Sequence, residues 1–126
     1  MRLFIIAIKM EKICKIKDLY RTLYLFEREF QEKNDITVNE AMLLCSLKDG
    51  VSRSANEICE FIGLSSSRGS RIINSTEQKG FLIREMGKED KRQMIFTLTK
   101  SGLTKIEEVS GKNLEISVEL ENLLKL

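Results

Sequence analysis

Two helix-capping boxes, 17 residues apart, constrain the fold of this chain more than any other local feature. In such a box a hydroxyl accepts a hydrogen bond from the amide three residues on, and a glutamate there reaches back to the first amide. The boxes are Thr37-Val38-Asn39-Glu40 and Ser54-Ala55-Asn56-Glu57. Asp49-Gly50 is a stop signal for the first helix, and Gly63 for the second. The sequence therefore predicts two short helices joined by a turn.

A third helix is predicted to begin at Ser65 or Ser66 and to run to Lys79, with Gly80 beyond its end. Its inward side would carry Gly69, Ile72, Ile73 and Thr76. The outward side offers hydroxyls, an amide and guanidinium groups without an acid, which suits the base edges of a DNA major groove. These residues are Ser66, Ser67, Arg68, Ser70, Arg71 and Asn74. A solvated face is the ordinary interpretation of an isolated helix, but the position after a short helix and tight turn favours recognition.

A β-hairpin should follow, because residues 81–86 and 93–98 are short, β-rich and separated by the polar turn Gly87-Lys88-Glu89-Asp90-Lys91-Arg92. Arg92 could enter the narrow minor groove, where the negative potential is enhanced. Asp90 is expected to hold Arg92 by a charge-assisted hydrogen bond. The candidate DNA-binding residues here are Arg84, Lys88, Lys91 and Arg92. The alternative interpretation is a solvated turn with balanced charge.

Apolar stripes also run along both ends of the chain. The first, between Glu11 and Glu32, consists of Ile13, Ile16, Tyr20, Leu23, Phe26 and Phe30. The second follows Thr99, a predicted N-cap, and consists of Leu103, Ile106, Val109, Ile116, Leu120 and Leu123. Gly111-Lys112-Asn113 would either kink this last helix or lie on its exposed side. Either stripe can face its own core or a second subunit, and the second arrangement is favoured because little domain remains to cover them.

The order of these segments predicts a mainly α fold with a small β-hairpin wing, a winged helix-turn-helix with N- and C-terminal dimerisation helices. Residues 1–35 would form an N-terminal extension and dimerisation helix, residues 36–98 the DNA-binding lobe, and residues 99–126 a C-terminal dimerisation helix. At 126 residues these parts are expected to make one compact domain. The absence of proline favours long helices over a loop-rich fold.

Charge supports a polyanionic partner through its distribution, since the net charge is only +2. Residues 65–92 hold seven Lys or Arg against four Asp or Glu, whereas residues 1–64 hold ten against ten. The basic surplus therefore lies in the third helix and the hairpin, where a DNA-binding face needs it.

Cys14, Cys45 and Cys59 are odd in number and lack a CxxC pair, so reduced thiols in a cytoplasmic protein are expected. Cys45 and Cys59 are predicted to be buried. The chain has no histidine, no phosphate-binding glycine loop and no nucleophile motif, so no metal, no cofactor and no enzymatic activity are predicted. The apolar run in residues 1–8 is too short for a secretory signal or membrane span. Because Met10 is a natural helix start, residues 1–9 are either a short extension or follow a misassigned start.

These features together resemble MarR-type winged-helix transcription regulators over roughly residues 36–103. The most specific match is Asp90-Lys91-Arg92 followed by Leu98-Thr99-Lys100-Ser101-Gly102; Glu57-Ile58, residues 61–65, Arg71 and residues 77–82 agree with it. The resemblance implies a homodimer that binds a pseudo-palindromic operator, with the two third helices in successive major grooves and Arg92 in the minor groove. It also implies relief by a small-molecule effector. A peroxide-sensing branch places a reactive cysteine in the first helix, which makes Cys14 a redox-sensing candidate, since nearby lysines would favour its thiolate.

Two departures from the family pattern bear on these expectations. Gly69 and Thr76 replace bulkier core residues, and a mid-helix glycine costs about 1 kcal/mol relative to alanine, so a less rigid third helix is expected. The segment after Gly102 is also short for what is often two helices. A different class, a winged-helix protein-interaction module without sequence-specific DNA binding, is the alternative.

Overall fold

The fold contains seven helical segments and three strands within residues 7–112 and 116–125, which the computed structural model describes. A one-turn 3-10 helix at Met10–Lys12 leads into α1. The helices are α1 (Ile13–Asn34), α2 (Val38–Ser46), α3 (Ala55–Ile62), α4 (Ser66–Gln78), α5 (Lys100–Ser110) and α6 (Val118–Leu124). The strands are β1 (Arg53–Ser54), β2 (Leu82–Met86) and β3 (Met94–Leu98). The mainly α fold with a small wing is thus confirmed.

Both predicted capping boxes are present and fix where α2 and α3 begin. In the first, the Glu40 amide donates to Thr37 Oγ1 at 3.0 Å and the Thr37 amide donates to Glu40 Oε1 at 2.8 Å. In the second, Ser54 and Glu57 exchange the same pair of bonds at 3.1 and 3.2 Å. Gly63 ends α3 with a φ of 83°, a left-handed conformation that glycine adopts without steric cost.

The sheet is antiparallel, with strand order β1-β3-β2. Strands β2 and β3 form the predicted hairpin, in which Leu82 lies opposite Leu98 and Met86 lies opposite Met94. Strand β1 was not predicted, because two residues are too few to show an alternating pattern. It attaches the start of α3 to the base of the wing.

The hydrophobic core lies between α2, α3, α4, α5 and the sheet. Its most completely buried apolar side chains are Ile36, Leu43, Leu44, Leu47, Ile58 and Ile106. Cys59 is buried as predicted, but the expectation for Cys45 was wrong, because its side chain is exposed on α2. Phe61 is 57% exposed, although it lies three residues after the buried Ile58 on the same helix. The helix is short and turns Ile58 and Cys59 inward instead.

The C-terminal region forms two helices in place of the single bent helix that was expected. Helix α5 packs against α2 and β3, and its Ile106 and Val109 belong to the core of the lobe. Helix α6 packs against α1 and buries Leu120. The stripe that looked continuous in the sequence is therefore divided between two surfaces. Asn113, part of the expected kink, lies outside the described residues.

Thr99 does more than cap α5. Its hydroxyl accepts a hydrogen bond from the Gly102 amide at 3.0 Å and donates to the Gly80 carbonyl at 2.7 Å. Its amide donates to the Phe81 carbonyl at 3.0 Å. The exit of the wing is thereby bonded to the turn that enters it.

Helix α1 projects from this lobe with most of its apolar residues exposed. Among its residues only Phe30 and Asn34 are buried. The exposed apolar residues on α1 are Ile13, Ile16, Leu19, Tyr20, Leu23, Tyr24 and Leu25. No helix in the described part of the chain is long and apolar enough to cross a membrane.

Candidate nucleic-acid interface

Helix α4 packs on α2 and α3 and leaves one polar face open to solvent. Ser65 is its N-cap, and the Ser65 hydroxyl accepts from the Arg68 amide at 3.3 Å. Gly69, Ile73 and Thr76 are buried, as their spacing predicted. The predicted outward residues are all exposed: Ser66, Ser67, Arg68, Ser70, Arg71 and Asn74.

Gly69 and Thr76 have specific packing reasons, which change the expectation of a loose helix. A Cβ at Gly69 would collide with the Cys59 Sγ on α3. Glycine therefore allows α3 and α4 to approach each other closely. Thr76 is fully buried, and its hydroxyl donates to the Ile72 carbonyl at 2.6 Å, so its polar atom is satisfied within the helix.

A buried carboxylate joins α2 to α4. Glu40 is only 1% exposed, yet its Oε1 accepts from Lys79 Nζ at 2.7 Å and its Oε2 accepts from the Ser75 hydroxyl at 2.8 Å. The same Oε1 completes the capping box with the Thr37 amide. One side chain therefore caps α2 and holds the C-terminal half of α4.

The charge on Glu40 is maintained by these partners. Burial by itself raises the pKa of the Glu40 carboxyl, but the hydrogen bonds from Lys79, the Thr37 amide and Ser75 outweigh it. The net result is a pKa below the ordinary glutamate value. Glu40 is thus an ionised anchor for the C-terminal half of α4.

The wing presents Arg92 at its tip in the predicted contact with Asp90. Asp90 Oδ1 accepts from the Arg92 amide at 3.0 Å and from Arg92 Nε at 3.4 Å. The Arg92 side chain is 93% exposed, so its outer nitrogens are open to solvent. Lys88 and Lys91 are exposed on the same turn.

A glycine closes the base of this turn. The Gly87 amide donates to the Gln93 carbonyl at 2.7 Å. A Cβ at Gly87 would lie 2.6 Å from the Asp90 carbonyl oxygen, which is closer than side chains approach. The tight turn that presents Arg92 therefore depends on glycine at this position.

Arg84 has partners within the protein that the sequence did not indicate. Its Nη2 donates to Glu77 Oε1 at 2.7 Å and its Nε donates to Glu77 Oε2 at 2.9 Å. These bonds lower the pKa of the Glu77 carboxyl and raise that of the Arg84 guanidinium. Nη2 also lies 3.4 Å from Asn74 Oδ1, and the guanidinium lies 5.4 Å from the centroid of the Phe96 ring. Arg84 thus links β2 to α4.

Cys14, the redox candidate, is exposed on the first turn of α1. It therefore lies on a different element from α4 and the wing. The surface suggested for DNA and the thiol suggested for sensing are separate parts of the molecule.

Comparison with known proteins shows which family part of the chain resembles. A MarR family profile matches residues 34–93, which span α2, α3, α4, β2 and the wing turn. Over this span, which is just under half of its 126 residues, the chain is similar to the MarR family. YusO from Bacillus subtilis is 27% identical, with a TM-score of 0.62 over 79% of this chain and 71% of that one. No curated protein sequence matches the chain.

Two further solved structures cover more of the chain. Reduced AbfR bound to DNA is 25% identical, with a TM-score of 0.71 over 91% of this chain and 85% of that one. Apo MarR from E. coli covers 95% of this chain and 97% of its own with a TM-score of 0.66, and at 21% identity it shows the shared fold.

Sequence reasoning placed the exposed polar face of α4 correctly but missed the residues that support it. Glu40 carried a signal only as part of a capping box, and nothing in its spacing showed partners on α4. Glu77 and Arg84 are seven residues apart on different elements. Their pairing depends on how β2 returns past α4, which a helical wheel does not describe.

Proposed function

We propose that this protein is a MarR-type DNA-binding transcriptional regulator that binds a pseudo-palindromic operator as a homodimer. The observation that carries the proposal is the exposed face of α4. It offers hydroxyl, amide and guanidinium groups without an exposed unpaired acid, and it lies beside a wing that presents Arg92. AbfR, which has a similar structure, has been solved bound to DNA.

In this proposal α4 enters the major groove and the wing, residues 81–98, follows the adjacent minor groove. Ser66, Ser67 and Arg68 at the N-terminus of α4 suit phosphate contacts, while Ser70, Arg71 and Asn74 suit base edges. Arg92 would enter the minor groove, supported by Asp90. Lys88 and Lys91 would contact phosphates.

The homodimer rests on the apolar face of α1. Tyr20 is 71% exposed and Tyr24 is 62% exposed in the single chain. Val118 and Leu124 on α6 are 69% and 70% exposed, and α6 packs against α1. An exposed apolar surface of this extent is typical of an interface between proteins. A second copy of the chain is its proposed partner.

Relief by a small molecule is part of the same proposal. A cavity of about 270 Å³ lies between α1 and the lobe, and its lining includes Tyr24, Arg28, Val38 and Ile72. An effector bound there would contact both the proposed dimer helix and the recognition helix. Redox sensing through Cys14 remains a separate prediction, supported by the exposure of its thiol.

The deciding experiment is selection of duplexes from a random library, followed by fluorescence anisotropy on the enriched duplex and on a scrambled one. Several phosphate contacts should make affinity fall steeply between about 50 and 200 mM salt. Binding that is weak, equal on both duplexes and insensitive to salt would reject the proposal and support a protein-interaction module.

Two variants assign the roles in that assay. Arg92→Ala should weaken binding to both duplexes and reduce the salt slope by about 1. Asn74→Ala should mainly alter the preferred sequence. Equal loss of affinity on both duplexes for Asn74→Ala would contradict its assignment as a base-contacting residue.

A further inference from the structure

We propose that Arg84 and Glu77 form a positioning pair that turns the amide of Asn74, so that Asn74 offers its NH₂ group to the major groove. The inference rests on the proposed function and specifies how one residue of α4 selects its base. It assigns Arg84 a role within the protein in place of the direct DNA contact that the sequence predicted.

The geometry begins with spacing along α4. Asn74 and Glu77 are three residues apart, so their side chains lie on neighbouring positions of one helix face. Arg84 approaches both from β2. Its Nη2 lies 2.7 Å from Glu77 Oε1 and 3.4 Å from Asn74 Oδ1. The bidentate ion pair with Glu77 fixes the position of the guanidinium. The longer hydrogen bond then orients the Asn74 Oδ1 toward Arg84.

The guanidinium is held on a further side by the sheet. Arg84 and Phe96 are direct partners in the β2–β3 register, and the Arg84 guanidinium stacks 5.4 Å from the ring centroid. A forked ion pair and an aromatic face together restrict the arginine to few rotamers. The side chain is therefore a rigid support for Asn74.

The orientation of Asn74 has a chemical consequence for base choice. An asparagine amide has an acceptor end and a donor end, and paired recognition of adenine uses both, at N6 and N7. When Arg84 engages Oδ1, the NH₂ end remains for the groove. Asn74 should therefore select a base edge that presents acceptors, as guanine does through O6 and N7 or thymine through O4.

The pair also changes the charge available to DNA. A bare Glu77 carboxylate on the recognition helix would repel phosphates, and Arg84 neutralises it. The positive charge of Arg84 is correspondingly satisfied inside the protein. Removing both groups together leaves the net charge unchanged and should leave non-specific binding unchanged.

The test is the double variant Arg84→Gln/Glu77→Gln, compared with wild type on the enriched duplex, on a scrambled duplex and on single base-pair variants. Discrimination should fall about three- to tenfold per half-site at the base pair where Asn74→Ala loses it. Affinity for scrambled DNA and the salt slope should match wild type. Arg92→Gln is the control, because removing the positive charge that enters the minor groove should lower the slope by about 1.

Several results would overturn the proposal. One is a salt slope that falls in the double variant as it does in Arg92→Gln. Another is full discrimination retained at the Asn74 base pair. A third is an Asn74 contact that depends on the 6-amino group of adenine, tested by replacing adenine with purine.

A folding check, a second variant and the wild-type result separate failure of this proposal from misfolding and from failure of the proposed function. Thermal melting checks that the double variant is folded, and Arg84→Lys gives a second test because it keeps the charge and loses the fork. It should lose the same discrimination with an unchanged slope. Wild-type protein that shows neither sequence preference nor salt dependence would overturn the proposed function itself.

Discussion

Glu40 shows how one buried side chain can serve two elements. Its carboxylate completes the capping box with Thr37 and also binds Ser75 and Lys79 on α4. Glu57 occupies the same position in the second capping box, but its side chain is exposed. The two glutamates therefore form a natural comparison between a cap alone and a cap with a tertiary contact.

We expect Glu40→Ala to lower the free energy of unfolding by about 2–4 kcal/mol, because three donors lose their acceptor in a buried site. Glu57→Ala should cost clearly less, because its exposed side chain takes part in the capping box alone. Urea denaturation of both variants measures the difference. Equal losses would show that the contacts to α4 contribute nothing.

Lowering the pH should remove the stabilisation that Glu40 contributes to the folded protein. Because the pKa of Glu40 is lowered in the fold, the unfolded carboxyl takes up a proton first as the pH falls. Its stabilisation is therefore complete above the ordinary glutamate pKa of about 4.5 and is lost below it, as the pH passes through the native value.

Urea midpoints between about pH 7 and pH 3 test this linkage. Glu40→Gln should show a shallower acid loss than wild type. Some loss should persist, because the pKa values of Glu57 and Glu77 are lowered too. Identical pH profiles for wild type and Glu40→Gln would contradict the assignment.

At the scale of elements, local signals predicted what local chemistry controls. The hydroxyls of Thr37 and Ser54 marked two helix starts correctly, and Gly63 marked an end. Contacts between distant segments were beyond such signals. The pairing of β1 with β3 depends on tertiary packing, and the division of α5 from α6 depends on Ile106 and Val109 finding a core on α2 and β3.

The residues of the candidate DNA-binding surface divide in the same way. Helical periodicity placed Arg71 and Asn74 on the exposed face, since exposure follows from spacing along one helix. The partners of Arg84 required the path of the hairpin relative to α4. Periodicity also placed Cys45 inward, whereas the buried side of α2 is formed by Ala41, Leu43 and Leu44, and Cys45 is exposed.

The contact between α3 and α4 predicts an unusual effect of adding a methyl group. Gly69→Ala should gain about 1 kcal/mol in helix propensity but lose about 1–3 kcal/mol through collision with Cys59, so a net loss is expected. Cys59→Ala should restore part of that loss in the double variant, because it removes the sulfur. Thermal and urea unfolding give the coupling energy.

Ser70→Ala on the exposed face of the same helix is the matched control, and it should change stability by less than about 0.5 kcal/mol. A Gly69→Ala variant more stable than wild type would show that α3 and α4 have room to separate.

For the whole molecule, the proposed dimer predicts that α1 controls both mass and DNA affinity. Tyr20→Asp should place a charge in the interface and shift the sedimenting species from twice the 14.5 kDa chain mass toward the single chain. Tyr20→Phe keeps the apolar area and should remain dimeric.

The affinity of Tyr20→Asp for the operator should also fall, because a monomer engages only one half-site. A Tyr20→Asp protein that still sediments as a dimer would place the interface elsewhere.

The residues that anchor α4 differ from the residues that it exposes for DNA binding. Glu40 accepts hydrogen bonds from Ser75 and Lys79, whereas Ser67, Ser70 and Arg71 are exposed and do not contact Glu40. The exposed residues can therefore be substituted, in evolution or by design, to fit a new operator while the contacts that hold the helix are kept. Moving α4 into a relative without an acidic residue at the position of Glu40 would transfer the proposed DNA-contacting side chains without the contacts that hold the helix in place.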